Sequence, residues 1–393
     1  MDTLPSIESG EQIRPPQPRK STAARVAHFT TVHGPLDGRI FYRECRSLAR
    51  AGYDVVIVAP GEGDATVDGV RIKTVAKPKN RFTRMFLTAA AVFRAALRED
   101  CAVYHFHDPE LMPWGLWLRL LGKKVVYDAH EDFPKDIALK RWIPRLLRPP
   151  VAFATKHISR LTSQMLNATV VAVPSIAAGI AGRRTTIIYN YPVLDDIVKT
   201  SPRPWRERSR AAVYSGSITA IRGLREMMMA MWVDDMPPDA VLTLVGRFDD
   251  PALLETARRG SNWQRIDFVG WKEGAALWNL IGDAKVGVVT LHPTRTFVDS
   301  MPTKLFDYMA LGLPVVASDF PAWREIVQSC RCGILVDPLD PNAIGRAIAT
   351  LLRNPAEAEA MGGRGRDAIV SRYQWSAEAR KLVALYDDLC AAK

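Results

Sequence analysis

Apolar residues along the chain form short runs separated by longer stretches of helical spacing, and this alternation occurs twice. In the first half the runs predict strands at 25–31, 54–59, 70–75, 102–106, 124–128, 169–173 and 185–189. In the second half they predict strands at 211–216, 241–245, 265–269, 285–290, 314–317 and 333–336. Strands that alternate with amphipathic helices are typical of parallel sheets, so the pattern predicts an α/β protein with two doubly wound sheets.

A polar, proline-rich segment separates the two halves. Residues 190–205 contain Asn-Tyr-Pro-Val-Leu-Asp-Asp and then Ser-Pro-Arg-Pro-Trp, a composition that favours an interdomain linker. We therefore predict a first domain at 25–195 and a second at 206–375. Near the end, 375–389 predicts an amphipathic helix with Ser376 as its N-cap.

Composition favours a folded protein with two hydrophobic cores. The chain has 393 residues, of which 48% are apolar, which suits two domains. The five cysteines are odd in number and lack CxxC spacing, which favours reduced thiols over disulfides or a zinc site. Residues 1–24 are polar and rich in proline, without the apolar core of a signal peptide, and predict a disordered tail. Because no run of about 18 apolar residues occurs, we expect a cytoplasmic protein that does not span a membrane.

The net charge of +11 is concentrated in the first half of the chain. Residues 137–194 contain no Asp or Glu, and 69–98 are likewise acid-free while carrying eight Lys or Arg. A solvated surface is one interpretation. Nucleic-acid binding is less favoured, because aromatic residues do not alternate with the charges in a recognised motif.

An anionic membrane surface is the partner that we favour for these basic segments. Several Lys and Arg together with Trp142, Ile143, Leu146 and Leu147 could hold the protein reversibly at the inner face of the plasma membrane. A second apolar stripe could contribute, although its helical spacing is also typical of core; it comprises Met85, Phe86, Leu87, Val92 and Phe93.

The most informative phrase is Met-Pro-Thr-Lys-Leu-Phe-Asp-Tyr-Met-Ala-Leu at 301–311, followed by a glycine and an apolar strand. Pro302 suits the start of a helix, and Lys304 lies where the helix's positive end favours anions. Asp307 follows one turn later, and Asp299 precedes it by eight residues. The phrase predicts a diphosphate site with two flanking carboxylates, although any α/β protein could contain a helix that begins in this way.

These residues resemble the retaining glycosyltransferases of family 4. The resemblance extends to His-Phe-Thr-Thr-Val-His-Gly at 28–34, His-Phe-His-Asp-Pro-Glu-Leu at 105–111, Val-Val-Tyr-Asp-Ala-His-Glu at 125–131 and Tyr-Ser-Gly-Ser-Ile-Thr-Ala-Ile-Arg-Gly at 214–223. It implies the GT-B fold, in which two Rossmann-like domains face each other across a cleft. It also implies that the C-terminal helix, 376–393, crosses back to the first domain.

The resemblance assigns roles to individual residues. Asp299 and Asp307 stand in the family's two acidic positions, and His130 in that of the active-site histidine. Arg222 takes the lysine position of the pyrophosphate clamp, whereas Ser217 replaces its arginine, so Lys304 is our candidate for the missing charge. The expected donor-binding residues are Gly34, Gly216, Ser217, Arg222, Gly270, Trp271, Pro302, Thr303, Lys304, Leu305 and Asp307.

Two further acids, Asp108 and Glu110, follow a predicted strand end, where open α/β sheets bind ligands. They could guide the hydroxyl of an acceptor. Alternatively, Asp108 could cap the helix that starts at Pro109.

Glycosyl transfer requires stabilisation of the negative charge that develops on the leaving β-phosphate. Arg222, Lys304 and the backbone at 302–304 are the groups expected to supply it, so we expect neither a metal ion nor a cofactor. The resemblance implies retention of configuration, with the departing phosphate taking the proton of the acceptor.

The sequence therefore predicts a hexosyl-type glycosyltransferase that uses a nucleotide-diphosphate sugar and a lipid-linked or envelope glycan acceptor. Two alternatives remain open at this point. One is a nucleotide-sugar epimerase of the same architecture, and the other is a non-catalytic glycan-binding scaffold.

Overall fold

The structure is a computed structural model that describes residues 24–130, 133, 137, 143–180, 182, 184–198 and 203–392. The predicted disordered tail, apart from Ala24, lies outside the described residues. The chain divides into two compact units. The first contains the residues up to Val126 together with those from Leu382 onward, and the second is Tyr127–Lys381. The domain limits predicted from the sequence stay a prediction.

The first sheet has eight strands among the described residues, in the order β3-β4-β2-β1-β5-β6-β7-β8. The strands are β1 Arg25–Phe29, β2 Asp54–Pro60, β3 Ala65–Val67, β4 Val70–Val75, β5 Val103–Phe106, β6 Lys124–Ala129, β7 Ala168–Val171 and β8 Thr185–Ile187. All seven strands predicted for this half are present. Their central members are fully buried because apolar residues point to both faces of the sheet.

Strand β3 was not predicted, and it pairs antiparallel with β4. A two-residue turn of Asp68 and Gly69 joins them, with φ values of 50° and 79°. Positive φ at both turn residues matches the right-handed twist of the hairpin. The apolar pattern gave no indication of β3 because its residues are exposed.

Helices alternate with these strands along the chain. They are α1 Arg46–Arg50, α2 Arg81–Thr83, α3 Ala89–Arg98, α4 Met112–Leu120, α5 Arg148–Met165 and α6 Pro174–Ile180. Helical turns at Ile40–Cys45 and Arg84–Thr88 lead into α1 and α3, respectively.

The second sheet is parallel, with the order β11-β10-β9-β12-β13-β14. Its strands are β9 Arg210–Ile218, β10 Leu242–Phe248, β11 Ile266–Gly270, β12 Ala284–Val289, β13 Val315–Ser318 and β14 Gly333–Val336. All six were predicted. If its strands are numbered 1 to 6 along the chain, their order across the sheet is 3-2-1-4-5-6, which is the order of the doubly wound nucleotide-binding fold. The strand order, not the strand direction, therefore reverses between β9 and β12. Ligands bind such sheets beyond the carboxyl ends of the strands at this reversal.

Helices pack on both faces of the second sheet around two hydrophobic clusters. They are α7 Leu194–Val198, α8 Leu224–Ala230, α9 Pro251–Arg259, α10 Gly274–Gly282, α11 Arg295–Val298, α12 Thr303–Ala310, α13 Pro321–Cys330, α14 Pro341–Arg353 and α15 Pro355–Ser371. The last helix is α16 Trp375–Ala391, and its residues from Leu382 onward belong to the first unit. Pro302 occupies the N-cap position of α12, so this helix begins one residue later than the sequence indicated.

The prediction that Ser376 caps the terminal helix is wrong. Helix α16 already begins at Trp375, whose amide donates to the Pro192 carbonyl at 3.0 Å. The Ser376 hydroxyl has no hydrogen-bond partner among the described residues.

Within the described part of the chain, no helix combines the length and apolar character needed to cross a bilayer.

Candidate functional site

Lys304 lies directly over the backbone of Gly216, at the point where β9 approaches its carboxyl end. A Cβ atom built on Gly216 would lie 2.5 Å from Cε and 2.6 Å from Nζ of Lys304. Gly216 also has a φ of 116°, a region that side chains rarely adopt. The backbone conformation therefore favours glycine here, and a side chain at this position would displace the end of Lys304.

Arg222 belongs to a short 3₁₀ turn, Ala220–Arg222, between β9 and α8. The next residue, Gly223, has a φ of 79°, and a Cβ on it would lie 2.2 Å from the Thr290 carbonyl oxygen. The amide of His292 donates to the carbonyl of Ile221 at 3.0 Å. The turn is thus held against the segment that follows β12, at the reversal of strand order.

The charge of Arg222 affects the pKa values of both Lys304 and Tyr214. Burial lowers the pKa of Lys304 to about 8, and repulsion from Arg222 contributes while Asp307 opposes the shift. The ammonium of Lys304 lies 5.8 Å from the centre of the Tyr214 ring. Burial also raises the pKa of Tyr214, and Arg222 opposes that shift through its charge and a hydrogen bond.

Neither Lys304 nor Arg222 has a salt bridge to a carboxylate within the described residues. The guanidinium of Arg222 instead lies 5.5 Å from the centre of the Phe297 ring. Partly buried charges without a counter-ion are unfavourable in a folded protein. Such a pair at the reversal of a doubly wound sheet is therefore suited to an anionic ligand.

The two acidic positions differ in their surroundings. Asp307 is on α12 one turn after Lys304, is partly buried, and raises the pKa of that lysine. Asp299 is exposed and follows α11 directly. The structure thus places Asp307 within electrostatic reach of Lys304 on the same helix.

Ser217, Gly270 and Trp271 lie along the neighbouring strands. The Ser217 hydroxyl donates to Asp249 at 3.1 Å, and its carbonyl accepts from Tyr214 at 2.7 Å. Gly270 has a φ of 78° at the end of β11, and Trp271 after it is exposed. The Trp271 indole donates to Glu273 at 2.8 Å.

Asp108 in the first unit organises the segment after β1. One of its carboxylate oxygens accepts from the Thr30 hydroxyl at 2.7 Å and the Thr31 amide at 2.6 Å. Asp108 occupies the N-cap position of the turn that starts at Pro109, and its carbonyl accepts from the Leu111 amide at 3.0 Å. Its side chain forms no capping hydrogen bond, so the alternative in which the Asp108 carboxylate caps this turn is wrong. The carboxylate faces the backbone of the neighbouring loop instead.

Glu110 and Gly34 lie beside the same loop. Glu110 accepts from the Thr31 hydroxyl at 2.9 Å and lies 2.8 Å from Nε of Arg84. Gly34 is exposed, and a Cβ on it would meet nothing within 4 Å. The fold itself does not require glycine at position 34, which leaves open space at that point of the loop.

His130 follows β6 in the second unit. Its Nδ1 lies 3.2 Å from the fully buried carboxylate of Asp128. The side chain is only partly buried. Glu131, Asp132 and Pro134 of the same phrase lie outside the described residues.

Two family matches cover most of the chain. Residues 38–190 match the family described as Glycosyltransferase Family 4, and residues 210–354 match Glycosyl transferases group 1. The chain belongs to glycosyltransferase family 4. A phosphatidyl-myo-inositol mannosyltransferase of Mycobacterium leprae is 25% identical, over 87% of this chain and 90% of that protein. A GDP-mannose-dependent alpha-(1-6)-phosphatidylinositol monomannoside mannosyltransferase of Mycolicibacterium smegmatis is 29% identical, over 45% and 46%.

Solved structures confirm the predicted GT-B fold for this family 4 glycosyltransferase. Sucrose-phosphate synthase from Thermosynechococcus elongatus has a TM-score of 0.72 at 19% identity, covering 94% of this chain and all of that one. Anabaena HepE in complex with UDP has a TM-score of 0.66 at 14% identity, covering 93% of this chain and all of that one. The prediction of a glycosyltransferase is confirmed as well.

Sequence reasoning missed three residues in the second unit of the glycosyltransferase. Buried Arg208 donates to the carbonyls of Leu311 at 3.0 Å and Gly312 at 3.3 Å, and so stabilises the C-terminal end of α12. Burial lowers the pKa of this guanidinium to about 10. No local pattern distinguishes Arg208 from the other arginines of the segment.

The other missed residues are Arg247 and Glu226. Arg247 is the register partner of Ser217 in the sheet, and its guanidinium lies 5.4 Å from the centre of the Trp271 ring. Glu226 lies 2.9 Å from Nε2 of His292. The alignment of β10 with β9, which only the fold provides, is the signal that would have identified Arg247.

Proposed function

We propose that this glycosyltransferase transfers a hexosyl group, with retention, from a nucleotide-diphosphate sugar to a lipid-linked or envelope glycan acceptor. The observation that carries the proposal is the pair of cations, Lys304 and Arg222, which lie where the strand order of a doubly wound sheet reverses. Among the residues that the structure describes, neither forms a salt bridge with a carboxylate. A diphosphate is the anion that this fold most often binds at such a place.

The same groups suit the chemistry of transfer. As the glycosidic bond to the diphosphate breaks, negative charge develops on the β-phosphate, and pre-positioned cations stabilise that charge more than the ground state. The amides of Thr303 and Lys304, in the first turn of α12, add donors without intrahelical partners. Two side-chain cations and these amides supply the required charge, so the proposal assigns neither a metal ion nor a cofactor to the step.

Further site roles follow the family positions. Gly216, Ser217 and Pro302 form the surface under the diphosphate, and Gly270 with Trp271 borders the base. Leu305 is fully buried in the core behind this surface, so it supports the turn and does not meet the donor. Asp307 contacts the ribose, and Asp299 and His130 orient the sugar. Retention follows if the acceptor attacks on the leaving-group face and the departing phosphate takes its proton.

The acceptor side is proposed for the loop after β1. Asp108 is buried and fixes this loop, whereas Glu110 is partly buried beside it. Asp108 therefore positions the loop, and Glu110 is the better placed of the two to meet an acceptor hydroxyl.

Donor choice is proposed from the named relatives. One relative is GDP-mannose-dependent, and one structural neighbour is a complex with UDP. GDP-mannose and UDP-glucose are therefore the first donors to test.

A lipid acceptor requires access to a membrane surface, and two exposed segments could provide it. In the first unit, Phe82, Phe86 and Leu87 are 77%, 64% and 69% exposed around the start of α3. Met85 is exposed too, whereas Val92 and Phe93 are buried, so only part of the predicted stripe is available. The segment is acid-free, which favours anionic lipid.

In the second unit, α5 and the turn before it expose another apolar set beside Arg145, Arg148 and Lys156. Its members are Leu146, Leu147, Phe153, Ile158 and Leu161. Ile143 is buried and cannot insert into lipid, and Trp142 lies outside the described residues. Exposed apolar side chains among cations are typical of peripheral membrane contacts, and we propose association with the inner face of the plasma membrane.

The enzyme test is incubation with radiolabelled GDP-mannose or UDP-glucose and membrane lipid extract. We expect a radiolabelled lipid product. Proton NMR of this product should show that its anomeric centre has the same configuration as the donor. An altered sugar without acceptor would support an epimerase, and donor binding without product over a broad acceptor panel would support a scaffold.

The membrane test is flotation with liposomes that contain phosphatidylglycerol or only phosphatidylcholine. We expect salt-sensitive binding to the anionic liposomes and its loss in Phe82→Ser/Phe86→Ser/Leu87→Ser. The control Leu339→Ser, at an exposed apolar residue of the second unit, should bind like the parent protein. Absence of binding to both liposomes at low salt would refute the membrane proposal.

A further inference from the structure

Three of the seven histidines and one glutamate converge in the interior of the first unit. They are His28, His105, His107 and Glu44, and each is at most 2% exposed. We propose that this cluster binds a divalent transition-metal ion of the zinc type in a closed, structural site. The proposal departs from the expectation that the protein has no metal.

The fold brings these residues together from three places in the chain. His28 on β1 is the direct register partner of His105 on β5. His107 follows two residues later, and alternate residues of an extended chain share a face. Glu44 comes from the helical turn Ile40–Cys45 that follows β1. The His-Phe-His pattern and the pairing of β1 with β5 therefore determine the cluster together.

The distances between the side-chain atoms suit tetrahedral coordination. Nδ1 of His28 lies 3.0 Å from Nε2 of His107 and 3.7 Å from Oε2 of Glu44. Nδ1 of His105 lies 3.9 Å from the same glutamate oxygen. Bonds of about 2.0–2.2 Å to a tetrahedral zinc ion separate neighbouring ligand atoms by about 3.3–3.6 Å. The observed separations bracket this range, so small rotations of the side chains would complete the site.

Neighbouring groups already orient the prospective ligands. The Tyr386 hydroxyl of α16 lies 3.0 Å from Nε2 of His28, the ring nitrogen that points away from Glu44, and 2.8 Å from Nδ1 of His105. In the metal-bound form it would keep the contact with His28 and give up the one with His105. Arg39 lies 3.2 Å from Oε1 of Glu44, while Oε2 is the oxygen nearest the histidines. Hydrogen bonds to the far side of metal ligands fix their orientation in this way.

The donor set selects among ions. Imidazole nitrogens with one carboxylate suit zinc, cobalt and related metals better than calcium or magnesium, which prefer oxygen ligands. Four protein ligands in a buried place leave no open position for a substrate, as in structural zinc sites. The positive charge of Arg39 reduces the affinity for a cation, so added metal is required in the test.

The experiment uses the full-length protein with Co²⁺ and Zn²⁺ as probes. After treatment with a chelator, the protein is titrated with Co²⁺, and the visible spectrum and the bound metal are measured after gel filtration. We expect one equivalent of bound cobalt, with the intense visible absorption bands that are typical of tetrahedral Co²⁺. Zn²⁺ should displace the cobalt, and either ion should raise the Tm of the protein.

Variants distinguish this site from adventitious binding. His107→Gln and Glu44→Gln should lose the cobalt bands and the increase in Tm. His157→Gln, which changes an exposed histidine, should keep both. Circular dichroism establishes whether each variant folds; if the cluster variants do not fold, the spectrum of the parent protein decides alone.

Two results would overturn the proposal. One is a parent protein that binds no cobalt, or binds it only with the weak bands of octahedral coordination. The other is an unchanged tetrahedral spectrum in folded His107→Gln or Glu44→Gln. A hydrogen-bonded histidine network without metal would then explain the cluster.

Discussion

The segments that follow the first strand of each sheet, 30–39 after β1 and 219–223 after β9, occupy equivalent places in similar folds but differ in charge. After β1 the key charge is negative, and Asp108 accepts hydrogen bonds from two threonines of the loop. Burial tends to raise the pKa of Asp37, but bonds from His33 and from the amides of Ile40 and Arg39 lower it strongly. After β9 the key charges are positive, and the described chain provides Arg222 and Lys304 with no salt bridge.

The comparison distinguishes charged side chains that stabilise the fold from charged side chains that are available to bind a ligand. A carboxylate whose bonds are made within the chain contributes to stability, and its loss should appear in unfolding experiments. A cation held at a sheet reversal without a counter-ion contributes little to stability, and its loss should appear in binding and rate. The predictions below test this distinction.

The largest effect is expected for Lys304→Met. Removal of a pre-positioned cation from the leaving phosphate should reduce kcat/KM by about 10²–10³-fold. The Tm should remain equal to or above that of the parent protein, because a partly buried charge is removed. Lys272→Met changes an exposed lysine of the same unit and should leave the rate unchanged. If Lys304→Met were as active as the parent protein, the proposed role of Lys304 in stabilising the leaving phosphate would be contradicted.

A smaller loss is expected for Arg222→Met. Because this guanidinium lies on a turn and shares the charge with Lys304, we expect kcat/KM to fall by about 10–100-fold. Arg225→Met, at an exposed position three residues away, is the matched control. An equal loss in both variants would show that only the general positive potential matters.

Asp108→Asn should act mainly on stability. The amide keeps the size of the side chain but loses the charge that two loop donors contact, so unfolding free energy should fall by about 1–3 kcal/mol. Asp100→Asn, in an exposed ion pair with Lys123, should change it by less than about 1 kcal/mol. Urea denaturation measures both. Full stability with lost transfer activity would instead identify Asp108 as an acceptor-binding residue.

The smallest effect concerns pH. Lys304 has a pKa lowered to about 8, so its charged form dominates below that value and is lost as pH rises through it. Affinity for a nucleoside diphosphate should therefore decrease severalfold between about pH 7 and 9. Lys304→Arg, which remains charged throughout this range, should show a flat profile. A parallel decrease in that variant would assign the titration to another group.

The sequence predicted the strands well because buried parallel strands are nearly continuous apolar runs. It missed β3, whose exposed residues carry no such pattern, although Asp68-Gly69 is a recognisable hairpin turn. It also assigned Ser376 as a cap, since local preference could not reveal that the Pro192 carbonyl accepts from Trp375 and that the helix begins there.

Sequence reasoning selected candidate site residues from single local phrases and missed residues whose contacts depend on pairing across strands. Lys304 was identified from its place in a helix start, but its position over Gly216 required the fold. Arg247 beside Ser217 and His28 beside His105 depend on strand register, which a single sequence does not specify. Buried Arg208 contacts carbonyls from distant segments, so its role has no local signature.

The most direct test of the central claim is calorimetric titration of UDP and GDP into the parent protein, Lys304→Met and Lys272→Met. The account predicts that at least one diphosphate binds the parent protein and Lys272→Met equally, and that its affinity for Lys304→Met is lower by about tenfold or more. Equal affinity for all three proteins would contradict the assignment of the Lys304 turn as the diphosphate site.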